Sequence, residues 1–379
     1  MRLADRAARI YAPAVHILAG AAFAGWMIAG AGWEKSLLVA VAVLIITCPC
    51  ALGLAVPTVQ VVASGQLLRR GILLKSADGL ERLAAVDHVV FDKTGTLTLG
   101  EPALVETGDI SDEDLAIAMS LATHSRHPLA RALVRAYPGT ATVRLNSVEE
   151  QPGQGLVAVA QGRAVRLGNR RWCGIDDIPS ATSVGPEIWL AIDGAPLHRL
   201  QFQDQVRADA RATIERLKQL GLSVELLSGD REDVVGRVAE ELSITDWQAE
   251  ATPDAKVRRL KELAASGRKV LMVGDGLNDA PALAQGHASI SPATAADISQ
   301  TAADFVFQGT ALAPVADAIV LARAATRHVV QNFGLALTYN LIAVPIALAG
   351  LATPLVAAIA MSSSSILVTL NALRLKLVR

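Results

Sequence analysis

Several things are scarce in this chain, and each scarcity excludes something. Only three cysteines occur in 379 residues, Cys48, Cys50 and Cys173, so no disulfide framework organises it. The net charge is −1, with 35 Lys plus Arg against 36 Asp plus Glu. That balance lacks the basic excess a nucleic-acid binder carries, so no nucleic-acid partner is expected. Charge is also missing locally. No Asp, Glu, Lys or Arg lies between Arg9 and Glu34, between Lys35 and Arg69, or between Arg327 and Arg374. Hydrophobic residues make up 52% of the chain, too many for an ordinary soluble protein.

A hydrocarbon core needs roughly 20 apolar residues per helix. The first two uncharged runs hold one helix each, near 10–31 and 37–62. The third is long enough for two, near 328–349 and 353–373, with Gly350 to Pro354 marking the turn. Arg2, Arg6 and Arg9 precede the first helix, and Arg69 and Arg70 follow the second. Arg323 and Arg327 precede the third, and Arg374, Lys376 and Arg379 follow the fourth. The positive-inside rule puts these flanks in the cytoplasm. The expectation is a multi-pass protein of a bacterial inner membrane, with both termini and a large insert, about 75–320, cytoplasmic.

Inside that insert, the run Val86 to Phe91, broken by Asp87 and His88, reads as a buried strand. It ends in Asp92-Lys93-Thr94-Gly95-Thr96-Leu97-Thr98. A carboxylate at the carboxyl end of such a strand sits where open α/β sheets bind ligands. The Thr and Gly that follow leave backbone N–H groups to cradle a phosphoryl group. Asp92 is then a candidate covalent nucleophile that forms an aspartyl-phosphate. Two positions on stands Thr94, where an acid-base group would speed hydrolysis of that intermediate.

Other strand ends supply the remaining chemistry. Val224 to Leu227 leads into Ser228-Gly229-Asp230, and Val270 to Val273 leads into Gly274-Asp275-Gly276-Leu277-Asn278-Asp279. Thr252-Pro253-Asp254-Ala255-Lys256 lies between them. Ser228 can hydrogen-bond a phosphoryl oxygen, and Lys256 can offset its charge. Asp92 and Asp275 can hold Mg²⁺. Asn278 and Asp279 can order the groups behind it.

In this order the motifs resemble the haloacid-dehalogenase-like phosphorylation (P) domain of P-type ATPases. The resemblance implies an α/β P domain over 75–100 and 200–320, with Asp92 as the phosphorylated residue. It assigns catalytic roles to Lys93, Thr94, Ser228, Gly229, Asp230, Lys256, Asn278 and Asp279, and Mg²⁺ to Asp92, Thr94 and Asp275. Asp204-Gln205-Val206-Arg207 resembles the family's hinge, with Arg207 counted toward the nucleotide.

Residues 101–199 interrupt the P domain and suit a small inserted α/β nucleotide-binding (N) domain. Ser125-Arg126-His127-Pro128-Leu129 resembles the His-Pro motif of heavy-metal P-type ATPases. Gly153-Gln154-Gly155 and Gly168-Asn169 look like its companions. ATP is therefore expected at His127, Gly153, Gly155 and Asn169, since glycines let a base approach the backbone. Ala122 and Arg126 stand where the family more often has acids. Cys173 beside Trp172 reads as a packing residue.

In the second uncharged run, Thr47-Cys48-Pro49-Cys50 falls mid-helix. Proline removes a backbone hydrogen bond and kinks a helix. Two thiols across such a break at membrane depth make a soft-metal site. The third span carries Tyr339-Asn340, and the fourth carries Met361-Ser362-Ser363-Ser364-Ser365 and Asn371-Ala372-Leu373-Arg374. These resemble the copper-transporting heavy-metal (P1B) subgroup. The resemblance implies a transported copper bound by Cys48, Cys50, Tyr339, Asn340, Met361 and Ser365. No carboxylate lies in any of the four spans, whereas Zn²⁺ would want a buried acid or more thiolates. Finer likeness at Ala280 to Asp297 points to the branch that supplies copper for cbb-type oxidase assembly.

No Thr-Gly-Glu and no Cys-x-x-Cys is present, so the family's actuator domain and metal-binding modules are expected on a missing N-terminal half. The expectation is the C-terminal portion of a Cu(I)-exporting P-type ATPase, using ATP and Mg²⁺ and fed by a copper chaperone. Alone, it would trap phosphate on Asp92 without cycling. Two alternatives stay open. One is a membrane-anchored phosphatase of the same fold, which would want an acid at Thr94. The other is a remnant that only binds nucleotide or a partner.

Overall fold

The computed structural model describes residues 3–48, 50–139, 143–175, 185–275, 279–295 and 297–377, without the side chains of 3–12, 50–52, 298 and 299. The expectations for Asn278 and for the Cys50 thiol lie outside the described residues. The first uncharged run forms α1 (Leu3–Ile28). Gly30 and Gly32, at φ +78° and +79°, turn the chain back into α2 (Trp33–Ile46).

The single span expected over 37–62 is two helices, α2 and α3 (Cys50–Arg69). Thr47 N–H still donates to Val43 O at 2.9 Å, but Cys48 N–H reaches only Ile45 O, at 3.2 Å. Such a three-residue closure tightens the last turn of a helix, and the proline that follows has no N–H with which to extend it.

The chain then enters its soluble part through β1 (Ile72–Leu74), α4 (Gly79–Ala84) and β2 (His88–Asp92). Residues 93–97 loop into β3 (Thr98–Glu106). Next come α5 (Asp112–Ala122), α6 (Pro128–Ala136), β4 (Leu145–Gln151), β5 (Gly155–Ala160), β6 (Arg163–Gly168), β7 (Glu187–Ile192) and β8 (His198–Val206). After them run α7 (Ala210–Gln219), β9 (Ser223–Leu227), α8 (Glu232–Glu241), β10 (Asp246–Gln248) and α9 (Pro253–Ala265). The soluble part ends with β11 (Val270–Val273), α10 (Ala280–Gln285), β12 (Ala288–Pro292), α11 (Asp297–Ala302) and β13 (Phe305–Phe307). Two long helices follow, α12 (Ala313–Leu348) and α13 (Pro354–Leu373).

Among the described residues the strands form two sheets. The first has the order β1-β13-β12-β11-β2-β9-β10. It is parallel throughout, except that β1 runs antiparallel to β13 at the edge. Its central strands are buried along their whole length, as strands covered on both faces must be. Phe91, Phe305 and Phe307 are fully buried there, each contributing about 1.5–3 kcal/mol by the area rule.

The second sheet is antiparallel, in the order β3-β8-β7-β6-β5-β4. Strand β5 alternates half-buried and buried residues, the pattern of a sheet with one covered face. The cover comes from α5 and α6, whose Ile117, Leu121 and Leu133 meet Leu167 and Phe202. Thr98 pairs with Val206 at the base of β3 and β8, so the chain leaves and re-enters the first sheet's layer side by side. The expected N-domain limits, 101 and 199, fall inside these two paired strands.

Helix α12 joins the soluble and apolar parts without a break. Its first half is core: Val315, Ala316, Ile319, Leu321 and Ala322 are fully buried. Its second half turns Leu337 and Leu341 outward, 70% and 74% exposed. At 36 residues it is a rod of about 54 Å. The span expected at 328–349 is its far end. Helix α12 and the segment Pro354–Leu377 are long and apolar enough to cross a membrane. Trp26 of α1 closes the hairpin between them, its indole N–H donating to Leu348 O at 2.9 Å. Its ring also lies where a side chain at Gly350 would be.

Candidate functional site

Strands β2, β9 and β11 are neighbours in one parallel sheet and end at the same edge. That register brings together residues that are 164 positions apart in sequence. Asp92 closes β2 and is buried. The Lys256 ammonium, on the first turn of α9, donates to Asp92 Oδ1 at 2.5 Å and to Asp279 Oδ1 at 2.7 Å. Asp275 completes the group: one carboxylate oxygen from each of Asp92, Asp275 and Asp279 lies within 4.8 Å of the others.

Three acids and one lysine leave this cluster short of positive charge. Burial pushes the Asp92 carboxyl up to about 7, Lys256 works against that, and the charge of Asp279 adds to it. Burial and Asp279 lift Asp275 to about 6, with Arg207 opposing. Burial works against the Lys256 charge, yet Asp92 and Asp279 hold its pKa above the usual lysine value. A hard divalent cation that prefers oxygen ligands fits this donor set and would remove the repulsion. Asp92, Asp275 and Asp279 could hold such an ion between them.

Beside the acids lies an open cavity of about 460 Å³ lined by Asp92, Thr94, Ser228, Gly229, Asp230, Lys256, Asp275 and Asp279. On its far wall, Lys93 pairs with Asp230 at 2.8 Å. Burial raises the pKa of Asp230, but the hydrogen bond and charge of Lys93 outweigh it and hold Asp230 below the usual carboxylate range. Ser228 Oγ and Thr94 Oγ1 donate to the same carboxylate oxygen, at 3.1 and 3.4 Å. Thr94 therefore sits at the cavity mouth as a hydroxyl with no acid-base capacity of its own.

The loop after Asp92 is held from below. Gly95 has φ +70°, and a Cβ there would fall 1.5 Å from Asp275 Oδ2, so only glycine lets the acid approach. Gly95 N–H donates to Thr98 Oγ1 at 3.1 Å, and that hydroxyl is bonded to Asp204. Arg207 is buried beneath the loop and donates to Thr96 O at 2.7 Å, Gly95 O at 2.8 Å and Thr310 O at 2.8 Å. It ties the phosphoryl loop to the start of α12. Arg207, expected at the nucleotide, lies under the phosphoryl loop, where the peptide carbonyls of a tight turn need a donor.

The second sheet carries a cavity of its own, of about 180 Å³, lined by Ser125, His127, Glu150, Gly153, Gly155, Gly168 and Asn169 among others. Gly155 and Gly168 are cross-strand partners. A Cβ on Gly155 would lie 2.4 Å from Leu167 O, and one on Gly168 would lie 2.3 Å from Gln154 O. Their bare backbones form the floor. Asn169 Nδ2 donates to Gly153 O at 3.1 Å, and its Oδ1 accepts Trp172 N–H at 2.9 Å, which pins the two glycine turns to each other. His127 caps α6, its Nδ1 accepting Leu129 N–H at 3.3 Å. Cys173 is buried between Trp172 and Trp189, and burial pushes its thiol up to about 11, leaving it inert.

In the apolar half, Tyr339 packs against the cluster that contains Val43 and Ile46, just before Cys48. Asn340 Oδ1 is buried with no hydrogen-bond partner among the described residues. Met361 and Ser365 are half-buried on α13, which packs against α2 and α3.

Two groups escaped the sequence reading. Glu150 lines the cavity of the second sheet without belonging to any motif read there. Glu225, inside β9, is buried against His88 at 3.1 Å and Arg259 at 2.8 and 3.2 Å. The signal was present: a charged residue within an apolar strand, opposite a strand that also carries a histidine.

Comparison with known proteins agrees with this geometry. Residues 86–287 match the haloacid dehalogenase-like hydrolase family. A zinc-transporting PIB-type ATPase, solved in its E2.Pi state, superposes with a TM-score of 0.84 at 31% identity, over 99% of this chain and 64% of that one. The chain belongs to the haloacid dehalogenase-like hydrolases, in their heavy-metal P-type ATPase branch. It is 52% identical over 376 residues to nitrogen fixation protein FixI of Rhizobium leguminosarum bv. viciae, covering 99% of this chain and 49% of that protein. It is 39% identical to a copper-exporting P-type ATPase of Mycobacterium tuberculosis, covering 99% and 51%. The chain thus spans about half the length of the curated relatives it matches.

Proposed function

We propose that this chain supplies the phosphoryl-transfer and metal-conducting portions of an ATP-driven Cu(I) exporter. The observation that carries the reading is the buried Asp92 facing Lys256, Asp275 and Asp279 across an open cavity. An oxygen of the Asp92 carboxylate bonds to the γ-phosphorus of ATP. The bond from that phosphorus to the bridging oxygen breaks, and ADP leaves with the electron pair. Lys256 and the Ser228 hydroxyl offset charge on the transferring group. Mg²⁺, when held by Asp92 and Asp275 beside Thr94, supplies further charge compensation. Thr94 cannot activate water, so the acyl-phosphate persists, which favours a pump over a phosphatase. Helix α12 runs from beneath the phosphoryl loop into the apolar half. A change at Asp92 therefore has a rigid route to the metal helices.

Copper is favoured over zinc by the donor set, although one structural neighbour transports zinc. Residues 36–68 and 328–373 contain no acid, so a divalent ion would keep its charge uncompensated. Cys48 is disulfide-bonded in the structure; once reduced to thiols, Cys48 and Cys50, with Tyr339, Asn340, Met361 and Ser365, would suit a soft monovalent ion. The four-span topology with cytoplasmic domains, delivery by a copper chaperone, and the link to oxidase assembly belong to the same proposal. The test is labelling with γ-radiolabelled ATP. We expect acid-stable, hydroxylamine-sensitive label on the wild-type chain and none on Asp92→Asn. Equal label on both would sink the reading.

A further inference from the structure

We propose that Asn332, held by Asn371, is a positioning residue that latches the helix beginning at Cys50 to α12, so that displacement of α12 at the phosphoryl loop reaches the metal ligands. This rests on the reading of the two regions as a phosphoryl site and a metal site.

Both amides stand among apolar side chains. Asn332 is fully buried and Asn371 nearly so, where α3, α12 and α13 pack together around Ala55, Ala336 and Val368. An unbonded amide in such surroundings is costly, and here the bonds are used to cross between helices. Asn332 Nδ2 donates to Ala55 O, in the second turn of α3, at 3.2 Å. Asn371 Nδ2 donates to Asn332 Oδ1 at 2.9 Å and to Gln331 Oε1 at 3.3 Å. Arg374, exposed at the end of α13, donates to Asn371 Oδ1 at 3.2 Å. This chain of bonds sets the direction of the Asn332 amide, because a flipped amide would put its oxygen against Ala55 O.

The grip on α3 is on its main chain, not on a side chain that could swing away. It also falls where α3 is weakest. Pro57 has no N–H to give to Gly53 O, so this part of the helix holds itself less firmly than an unbroken one. The other grip on α12 is at its start. The Asp209 carboxylate accepts the N–H groups of Leu312 and Ala313 at 2.8 to 2.9 Å, beside Arg207, which binds both the phosphoryl loop and Thr310 O. Helix α12 is therefore held at its start by the support of that loop and near its middle by Asn332. A rigid element held at two points carries displacement from one to the other.

The experiment uses the full chain with its thiols reduced. Cu(I) affinity is measured by chelator competition, with and without beryllium fluoride, which binds a carboxylate as an acyl-phosphate analogue. We expect beryllium fluoride to change the wild-type affinity by at least about fivefold, the low end of coupling between two sites. Asn332→Leu keeps the volume apolar and leaves Asn371 with Gln331 and Arg374, so the chain should fold and bind Cu(I). Its response to beryllium fluoride should fall below about twofold, and Asn371→Ala should do the same, with the double variant no worse than either. A latch that only packs would weaken Cu(I) equally in both conditions and leave the ratio at its wild-type value, which would overturn the proposal. A wild-type chain that binds Cu(I) and labels on Asp92, yet shows no response to beryllium fluoride, would also overturn it and leave the functional reading standing. A wild-type chain that neither binds Cu(I) nor labels would sink both.

Discussion

Around Asp92 the chain concentrates charge, and around Cys48 it has none. Within the first region three carboxylates share one lysine, and burial makes every unit of charge expensive. Between Lys35 and Arg69 there is no charged residue at all, and the polar groups on offer are hydroxyls, amides and sulfur. The two regions suit cations of different kinds. The acid cluster asks for a hard divalent ion and a phosphoryl group. The helix break offers soft, uncharged or singly charged ligands. On the proposed reading, one fold would hold two metals without confusing them, because charge density separates the sites before geometry does.

The largest expected effect comes from removing the cation on the charged side. Lys256 donates to both Asp92 and Asp279. In Lys256→Ala the two acids repel without a mediator, and the transferring phosphoryl group loses its nearest fixed positive charge. Phosphoenzyme formation in a single turnover should fall about 100- to 1,000-fold, with nucleotide displacement at the N-domain cavity unchanged. A wild-type labelling rate in that variant would mean that Lys256 only packs.

The comparison can also be broken from the uncharged side. Asn340 Oδ1 is buried with no partner among the described residues, close in sequence to Tyr339, which packs near the end of α2. Asn340→Asp puts a full negative charge there at nearly constant volume. The ratio of Zn²⁺ to Cu(I) affinity, read by competition with chelators of each ion, should rise by about tenfold or more. An unchanged ratio would show that Asn340 does not face the metal.

These two regions were unequally legible in the sequence. Asp92, Ser228 and Asp275 each stand at or just past a strand end, and parallel register brings those ends to one edge, where the starts of α9 and α10 add Lys256 and Asp279. That is a one-dimensional signal with a three-dimensional consequence. The charge map found the apolar runs, but it read the stretch 37–62 as one helix. The break at Thr47 depends on which carbonyl Cys48 N–H can reach, a local closure that hydropathy does not carry. It also cut α12 at Arg327, since a helix half in a protein core and half among apolar neighbours changes composition midway. The bonds of Arg207 beneath the loop were not legible for a related reason. Its partners are backbone carbonyls, and those have no letter in the sequence.

Glu225 is the smallest effect and tests the charged region at its base. Its carboxylate is buried among apolar strands, bonded to His88 on β2 and to Arg259 on α9, one turn after Lys256. Burial alone would raise its pKa, but the hydrogen bonds from His88 and Arg259 and the Arg259 charge prevail and hold it below the usual glutamate value. A carboxyl whose folded pKa is depressed adds stability that is fully present above its unfolded pKa, about 4.5. That stability is lost as pH falls through the lower folded value. Glu225→Gln should therefore destabilise the chain at pH 7 by about 1–3 kcal/mol, because the Arg259 guanidinium, 38% exposed, can recover part of its hydration. The gap between wild-type and variant unfolding midpoints should hold from pH 7 to about pH 5 and close below about pH 4. A gap that stayed constant down to pH 3 would show that Glu225 acts through shape and not through charge.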